Sequence, residues 1–215
     1  MMGPLLVTAH VRGAFVPPPP MLDALLGWAV ATRDDLPPAF IGVRDLDIPV
    51  RLSDCGRVYL CSAPQWSAEW HDKRHINRRF PVHEAMLLGG PKLRRVDERA
   101  GPQKAYHLPQ ETAHAVNDVV RWWCVGDRGA LLELLQLVWH LGKRRAVGLG
   151  KVVRWTAEPC EPWDGFPVLR DGYPLRPLPL DWPEVAEDSD VGVHVLRPPY
   201  WRHHKEEPCW TMTEW

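Results

Sequence analysis

The run Gly142-Lys143-Arg144-Arg145-Ala146-Val147-Gly148-Leu149-Gly150-Lys151-Val152 places four cationic side chains and three glycines in one short stretch. Glycine lets backbone N–H groups approach an anion closely, and Lys and Arg supply the counter-charge, so the chemistry on offer is the holding of phosphate. Two well-known phosphate loops are excluded. A Walker A loop needs glycine where Arg145 stands and Ser or Thr where Val152 stands. A Rossmann turn follows a strand and opens a helix, the reverse of the order here. Glycines chosen for a tight turn and cations favoured by a helix C-terminus explain part of the run, but not Lys151 beyond Gly150. With no Asn or Gln beside them, these charges suit phosphates more than base edges.

Other chemistries find less support. The five Cys are an odd number without C-x-x-C spacing, which indicates neither a disulfide framework nor a zinc ribbon. His203-His204 with Cys209 puts two ligands side by side next to a lone thiol and matches no standard zinc spacing. Gly-x-Ser-x-Gly is absent. No metal, cofactor or catalytic residue is expected.

The net charge of −1 hides a segregation. Residues 71–104 hold nine Lys/Arg against four acids, residues 143–154 hold five basic residues and no acid, and residues 155–190 hold nine acids against Arg170 and Arg176. Two basic islands in a near-neutral chain suit a polyanion, and the competing explanation is that each is a solvated face. Lys73, Arg74, His75, Arg78, Arg79, Lys92, Arg94 and Arg95 of the first island join the glycine-rich run as candidate phosphate contacts. The chain also carries 12 Trp against 4 Phe and 4 Tyr, a surplus of flat side chains for packing or for stacking on a base.

The elements that must position these groups are legible from period. Leu5, Val7, Ala9 and Val11 alternate with Thr8, His10 and Arg12 and predict a strand. After Pro17–Pro20, apolar residues at 21, 22, 25, 26, 28 and 29 predict a helix that packs back on it. Ile48, Val50 and Leu52, then Val58 and Leu60, read as two short strands. Residues 62–110 break every period and read as an inserted loop or hairpin. Strand content resumes from Thr112 to Val125. Asp127 then caps a helix whose buried stripe runs through Leu131, Leu132, Leu134, Leu135, Val138 and Leu141 to a C-cap at Gly142. Val147 to Thr156 returns to alternation. The expected class is α+β, a ferredoxin-like β-α-β-β-α-β sandwich over residues 1–157 with the basic insertion at 62–110. Residues 158–215 form a Pro-rich extension that wraps the same domain.

A ferredoxin-like fold whose last helix runs into a loop of the form G-K-R-R-x-x-G-x-G-K-V resembles the RAMP superfamily of CRISPR-associated RNA-binding proteins. Within it, the Leu5–Val11 strand, the helix Met21-Leu22-Asp23-Ala24-Leu25-Leu26-Gly27-Trp28-Ala29 and the late Arg197-Pro198-Pro199-Tyr200-Trp201 run resemble the Cas-five subunit of type IV effectors. The resemblance implies a non-catalytic binder that grips the 5′ handle of a CRISPR RNA. It would cap a filament of backbone subunits, sit beside a large subunit and meet target nucleic acid through the complex. The insertion would act as a thumb on the guide, with Trp66, Trp70 or Tyr106 able to stack on a displaced base at ~1–3 kcal/mol. Two alternatives stand beside this one. The first is a metal-independent repeat-processing endoribonuclease of the same superfamily using His10, His71 or His75. The second is a protein-interaction module built on the Trp-rich, acidic tail. In the capping reading, some of Trp122, Trp123, Trp201, Trp210 and Trp215 would supply anchors for the interface with the filament. No run approaches the ~18 apolar residues of a membrane span and residues 1–10 lack signal-peptide features, so a cytoplasmic protein is expected.

Overall fold

The computed structural model describes residues 1–36, 46–78, 106–200 and 205–212. Strand β1 (Met2–Arg12) is central in a three-stranded antiparallel sheet between β4 (Val119–Asp127) and β5 (Lys151–Pro159). The alternation predicted for β1 sends Leu5, Val7, Ala9 and Val11 into the core, where they meet Val120, Trp122 and Cys124 from β4.

Helix α1 (Leu22–Arg33) covers this face with Leu22, Leu25, Leu26, Ala29 and Val30, an i, i+3, i+4, i+7, i+8 stripe. Helix α2 (Arg128–Leu135) lies beside it, its first turn capped by the Asp127 carboxylate accepting the Ala130 N–H at 3.1 Å. Each fully buried Leu of these helices is worth about 1.5–3 kcal/mol of removal from water. Trp122 is fully buried in the core, and its Nε1–H donates to the Pro20 carbonyl.

Two expectations change. The segments around Ile48–Leu52 and Val58–Leu60 do not form strands. They make single bridges, Val50 to Gly126, Leu52 to Tyr59 and Cys61 to Cys124, so an irregular segment follows the outer edge of β4 as far as Gln65 opposite Arg121. Pro49 and Pro64 have no N–H to extend a ladder, and the Ser53–Gly56 turn interrupts it. The helix after Asp127 ends at Leu135 and is capped at Gln136, well before Gly142. Val138 and Leu141 are buried as their spacing predicts, but outside the helix: Val138 N–H closes a turn on Leu135 O, and Val152 N–H donates to Trp139 O and Leu141 N–H to Gly150 O, pairing residues 139–141 with the start of β5.

A separate hairpin, β2 (Ala68–Arg78) and β3 (Tyr106–Ala115), leaves the sheet. Its base is fixed to the core, because Phe15 and Ala113 exchange both backbone hydrogen bonds and Thr112, Ala113 and Ala115 are buried. Residues 62–67 lie against β4 and the turn that precedes it, with Ser62 N–H donating to Trp123 O and Val116 N–H to Ser67 O.

The chain beyond β5 builds a second small core from Val168, Leu169, Leu178, Leu196 and Cys209 together with Val58. It contains the pair β6 (Leu169–Arg170) and β7 (Tyr173–Pro174), and a sheet in the order β8 (Leu178–Pro179), β10 (Glu207–Trp210), β9 (Val191–His194). The architecture is α+β with antiparallel sheets and few helices. No helix among the described residues is long and apolar enough to cross a membrane.

Candidate nucleic-acid interface

The glycine-rich run closes the connection between the extended segment at Trp139–Leu141 and β5. Gly150 has φ +68°, and a Cβ there would lie 2.1 Å from the Leu141 carbonyl oxygen, so only glycine permits the close backbone approach. Its N–H donates to Ala14 O at 2.9 Å, and the Gly148 N–H donates to Arg145 O. Gly142 and Gly148 also have positive φ. The glycines are thus accounted for by the path of the chain, and the amides of Gly148 and Gly150 are committed to the protein. The cations remain. Lys143, Arg145 and Lys151 are exposed, and Arg144, half-buried, holds φ +64°. The Arg145 guanidinium lies 5.1 Å from the ring centroid of Trp28 on α1, a cation–π contact that orders it without neutralising it.

On the first island, Lys73, Arg74 and His75 are exposed on β2, and Arg74 makes a 3.5 Å ion pair with Asp72. Arg78 ends β2 opposite Tyr106. Arg79, Lys92, Arg94 and Arg95 lie outside the described residues. Trp70 is 47% exposed and stacks on His114 with centroids 4.2 Å apart. Trp66 instead packs edge-on against the buried Phe15. His71 also lies on β2, whereas His10 lies on the central strand.

The base of the hairpin that carries Lys73, Arg74 and His75 and the glycine-rich loop share one backbone anchor. Residues 14–16 join the hairpin on one side, through the Phe15–Ala113 pair, and the glycine-rich loop on the other, through Ala14 O. Ala14 and Val16 bury themselves against Leu149 of that loop.

Sequence reasoning counted Arg154 only within the second island and named His10 only as a possible catalyst, and missed that they join Arg12 and Arg121 in one group of charges. The sheet face opposite the helices carries Arg12, Arg121 and Arg154, each exposed, with half-buried His10 among them. The Arg154 guanidinium approaches His10 Nε2 at 3.2 Å. Burial, then Arg154 and Arg121, hold His10 below its ordinary value, against a weaker raising effect of Glu158. The signal was present in the alternation of β1, whose polar positions include His10 and Arg12. None of Arg12, Arg121, Lys143, Arg144, Arg145, Lys151 and Arg154 forms an ion pair with another described residue.

The other half of this face is covered. Trp163 packs edge-on against Trp123 at 5.2 Å and is joined by Phe166, with Arg170 over its ring. Of the tryptophans considered as interface anchors, Trp122 is fully buried and Trp210 is half-buried, its Nε1–H donating to Leu180 O. Trp201 and Trp215 lie outside the described residues. Trp139, not singled out in the sequence, is 71% exposed.

A buried polar cluster ties the tail to the core. Asp23 of α1 and Arg176 form a fully buried ion pair at 3.1 Å, and the Tyr200 hydroxyl donates to the Asp23 carboxylate. Arg176 also donates to the carbonyls of Tyr59, Cys61 and Leu196. Burial pushes the Tyr200 hydroxyl well above its ordinary value, and the Cys61 thiol is pushed up to about 12 by burial and then by Asp23. These groups are structural at neutral pH. All five cysteines are free thiols, and no cluster of three metal-ligating side chains occurs among the described residues.

The family model described as CRISPR type IV associated protein Csf3 matches residues 62–212, and the chain belongs to that family. The match takes in the hairpin, the glycine-rich loop and the tail, and begins after β1 and α1. No curated protein matches the chain.

Proposed function

We propose that this type IV CRISPR-associated protein is a non-catalytic RNA-binding subunit of a type IV effector ribonucleoprotein, holding the 5′ handle of the CRISPR RNA and capping the backbone filament in the cytoplasm. The observation that carries this reading is the shared anchor of the hairpin base and the glycine-rich loop at residues 14–16, with the loop cations unpaired among the described residues. Cations that are ordered but not neutralised are what a phosphate backbone needs. The β5-β1-β4 order, with an irregular fourth member along β4 and helices after β1 and β4, supports a ferredoxin-like frame of the RAMP type. In that frame the β2-β3 hairpin is the thumb, and residues 158–215 are an extension of the same domain, anchored through Arg176. The backbone and large subunits are the protein partners, and target nucleic acid is met through the assembled complex.

The test is fluorescence anisotropy of end-labelled repeat RNA with the purified chain, followed by a denaturing gel of the same samples. Saturable binding with intact RNA is expected. Cleavage that disappears with His10→Gln would replace the reading with an endoribonuclease. Absence of binding by both the isolated chain and the reconstituted complex would remove RNA from its function.

A further inference from the structure

We propose that the uncovered half of the outer sheet face, built from Arg12, Arg121, Arg154 and His10 and continued by Lys151, is a second phosphodiester-binding site that carries the RNA strand on from the glycine-rich loop. The inference rests on the RNA-binding reading and names a surface which that reading does not use.

Strand register gathers these groups from three separate parts of the sequence. Arg12 is paired with Lys151, His10 with Arg154, and Thr8 with both Arg121 and Thr156. Cross-strand partners point to the same face. Lys151, Arg12, His10, Arg154, Arg121 and Thr156, ranged around the buried Thr8, therefore form a largely cationic surface about two side-chain repeats long, roughly 14 Å, enough for a few consecutive phosphates. Its limits are visible in the next row, where Leu6 is paired with Glu158 and Trp123. There a carboxylate reverses the charge and Trp163 closes the face. At the other end Lys151 is also the last cation of the glycine-rich run, so the two surfaces are continuous.

No ion pair among the described residues neutralises the three arginines. The guanidiniums of Arg154 and Arg121 both act on the His10 imidazole, with Arg12 beside it on the same face, and among the described residues the carboxylate of Glu158 opposes them only weakly. A phosphodiester would compensate them. It would accept from Arg154 and Arg121 and remove their effect on His10, which could then take up a proton and donate to the same anion. Binding at this site should therefore strengthen as pH falls, by at most about tenfold per pH unit for one linked proton.

The experiment measures the affinity of the full chain for labelled single-stranded repeat RNA against salt at pH 8 and pH 6. The variants are Arg12→Gln/Arg121→Gln/Arg154→Gln, His10→Gln and Arg144→Ala/Arg145→Ala, with thermal melts as folding controls. The triple sheet variant should flatten the log K against log[salt] slope by roughly 1–2, and restoring charge with Lys at the three positions should recover it. His10→Gln should keep most of the affinity at pH 8 and lose the gain at pH 6. An unchanged slope in the folded triple variant, with a reduced slope in the loop variant, overturns the sheet-face site and leaves the RNA-binding reading standing. Unchanged slopes in both folded variants overturn the sheet-face site and remove the loop from the RNA site as well, whereas absence of binding by the wild-type chain and by the reconstituted complex overturns the RNA-binding reading itself.

Discussion

Gly150 is held at φ +68° with the Leu141 carbonyl where a side chain would be, so any substitution must move backbone. Gly150→Ala is expected to cost about 2–3 kcal/mol, lowering the melting temperature by roughly 5–10 °C, whereas Gly148→Ala meets nothing within 4 Å and should cost about 1 kcal/mol for its positive φ alone. Thermal melts of the two variants check the order. The buried Asp23–Arg176 pair gives a second ranking. Breaking such a pair costs about 3–5 kcal/mol. Arg176→Met also deprives the Tyr59, Cys61 and Leu196 carbonyls of a donor, so in urea denaturation it should be more destabilising than Asp23→Asn, which keeps an acceptor for Tyr200. His10 contributes to stability with a definite sign. Its value is depressed in the folded chain, so the contribution is present above its unfolded value of 6.5 and is lost as pH falls through the folded one. At this scale the sequence displayed residue types but not partners. Asp23 reads as an acid in the first turn of a helix, and nothing near it in sequence announces Arg176 or Tyr200.

Among the elements, β1, α1 and the Asp127 cap were legible because each depends on local spacing: alternation for the strand, an i, i+3, i+4 stripe for the helix and a carboxylate three residues before the accepted N–H. The end of α2 was not. Val138 and Leu141 are buried at helical spacing, yet their segment hydrogen-bonds to Gly150 and Val152, and burial alone does not distinguish a helix from an extended strip on the same core. The strands expected near Val50 and Val58 failed for a visible reason, the prolines at 49 and 64. The hairpin is long because β2 and β3 pair over about ten residues, and its base belongs to the core through Ala113 and Ala115. Removing residues 73–111 and joining the ends with a short Gly/Ser linker should therefore leave a soluble protein with a cooperative melt, and should abolish a defined particle with guide RNA and partner subunits. Size-exclusion chromatography of the reconstituted mixture reads the second outcome. A larger deletion that includes Ala113 should fail to fold, since it removes the backbone pair to Phe15.

For the molecule as a whole, charge segregation was the feature that sequence alone showed best, because counting by segment needs no fold. What it could not show is that the base of the hairpin and the glycine-rich loop share an anchor at residues 14–16, or that Arg12, Arg121 and Arg154 arrive on one sheet face from three strands. The family match begins at Ser62, so the part of the chain that carries this anchor and the central strand precedes the matched region. The most direct test of the account is the salt dependence of RNA binding by the wild-type chain and by Arg144→Ala/Arg145→Ala, with a thermal melt of the variant as control because Arg144 is half-buried and Arg145 rests on Trp28. If the glycine-rich loop grips phosphates, the wild-type log K falls linearly with log[salt] and the double variant flattens that slope by roughly 1–2. A slope identical in the two proteins, with both folded and both binding, would contradict the central claim that this loop holds the RNA.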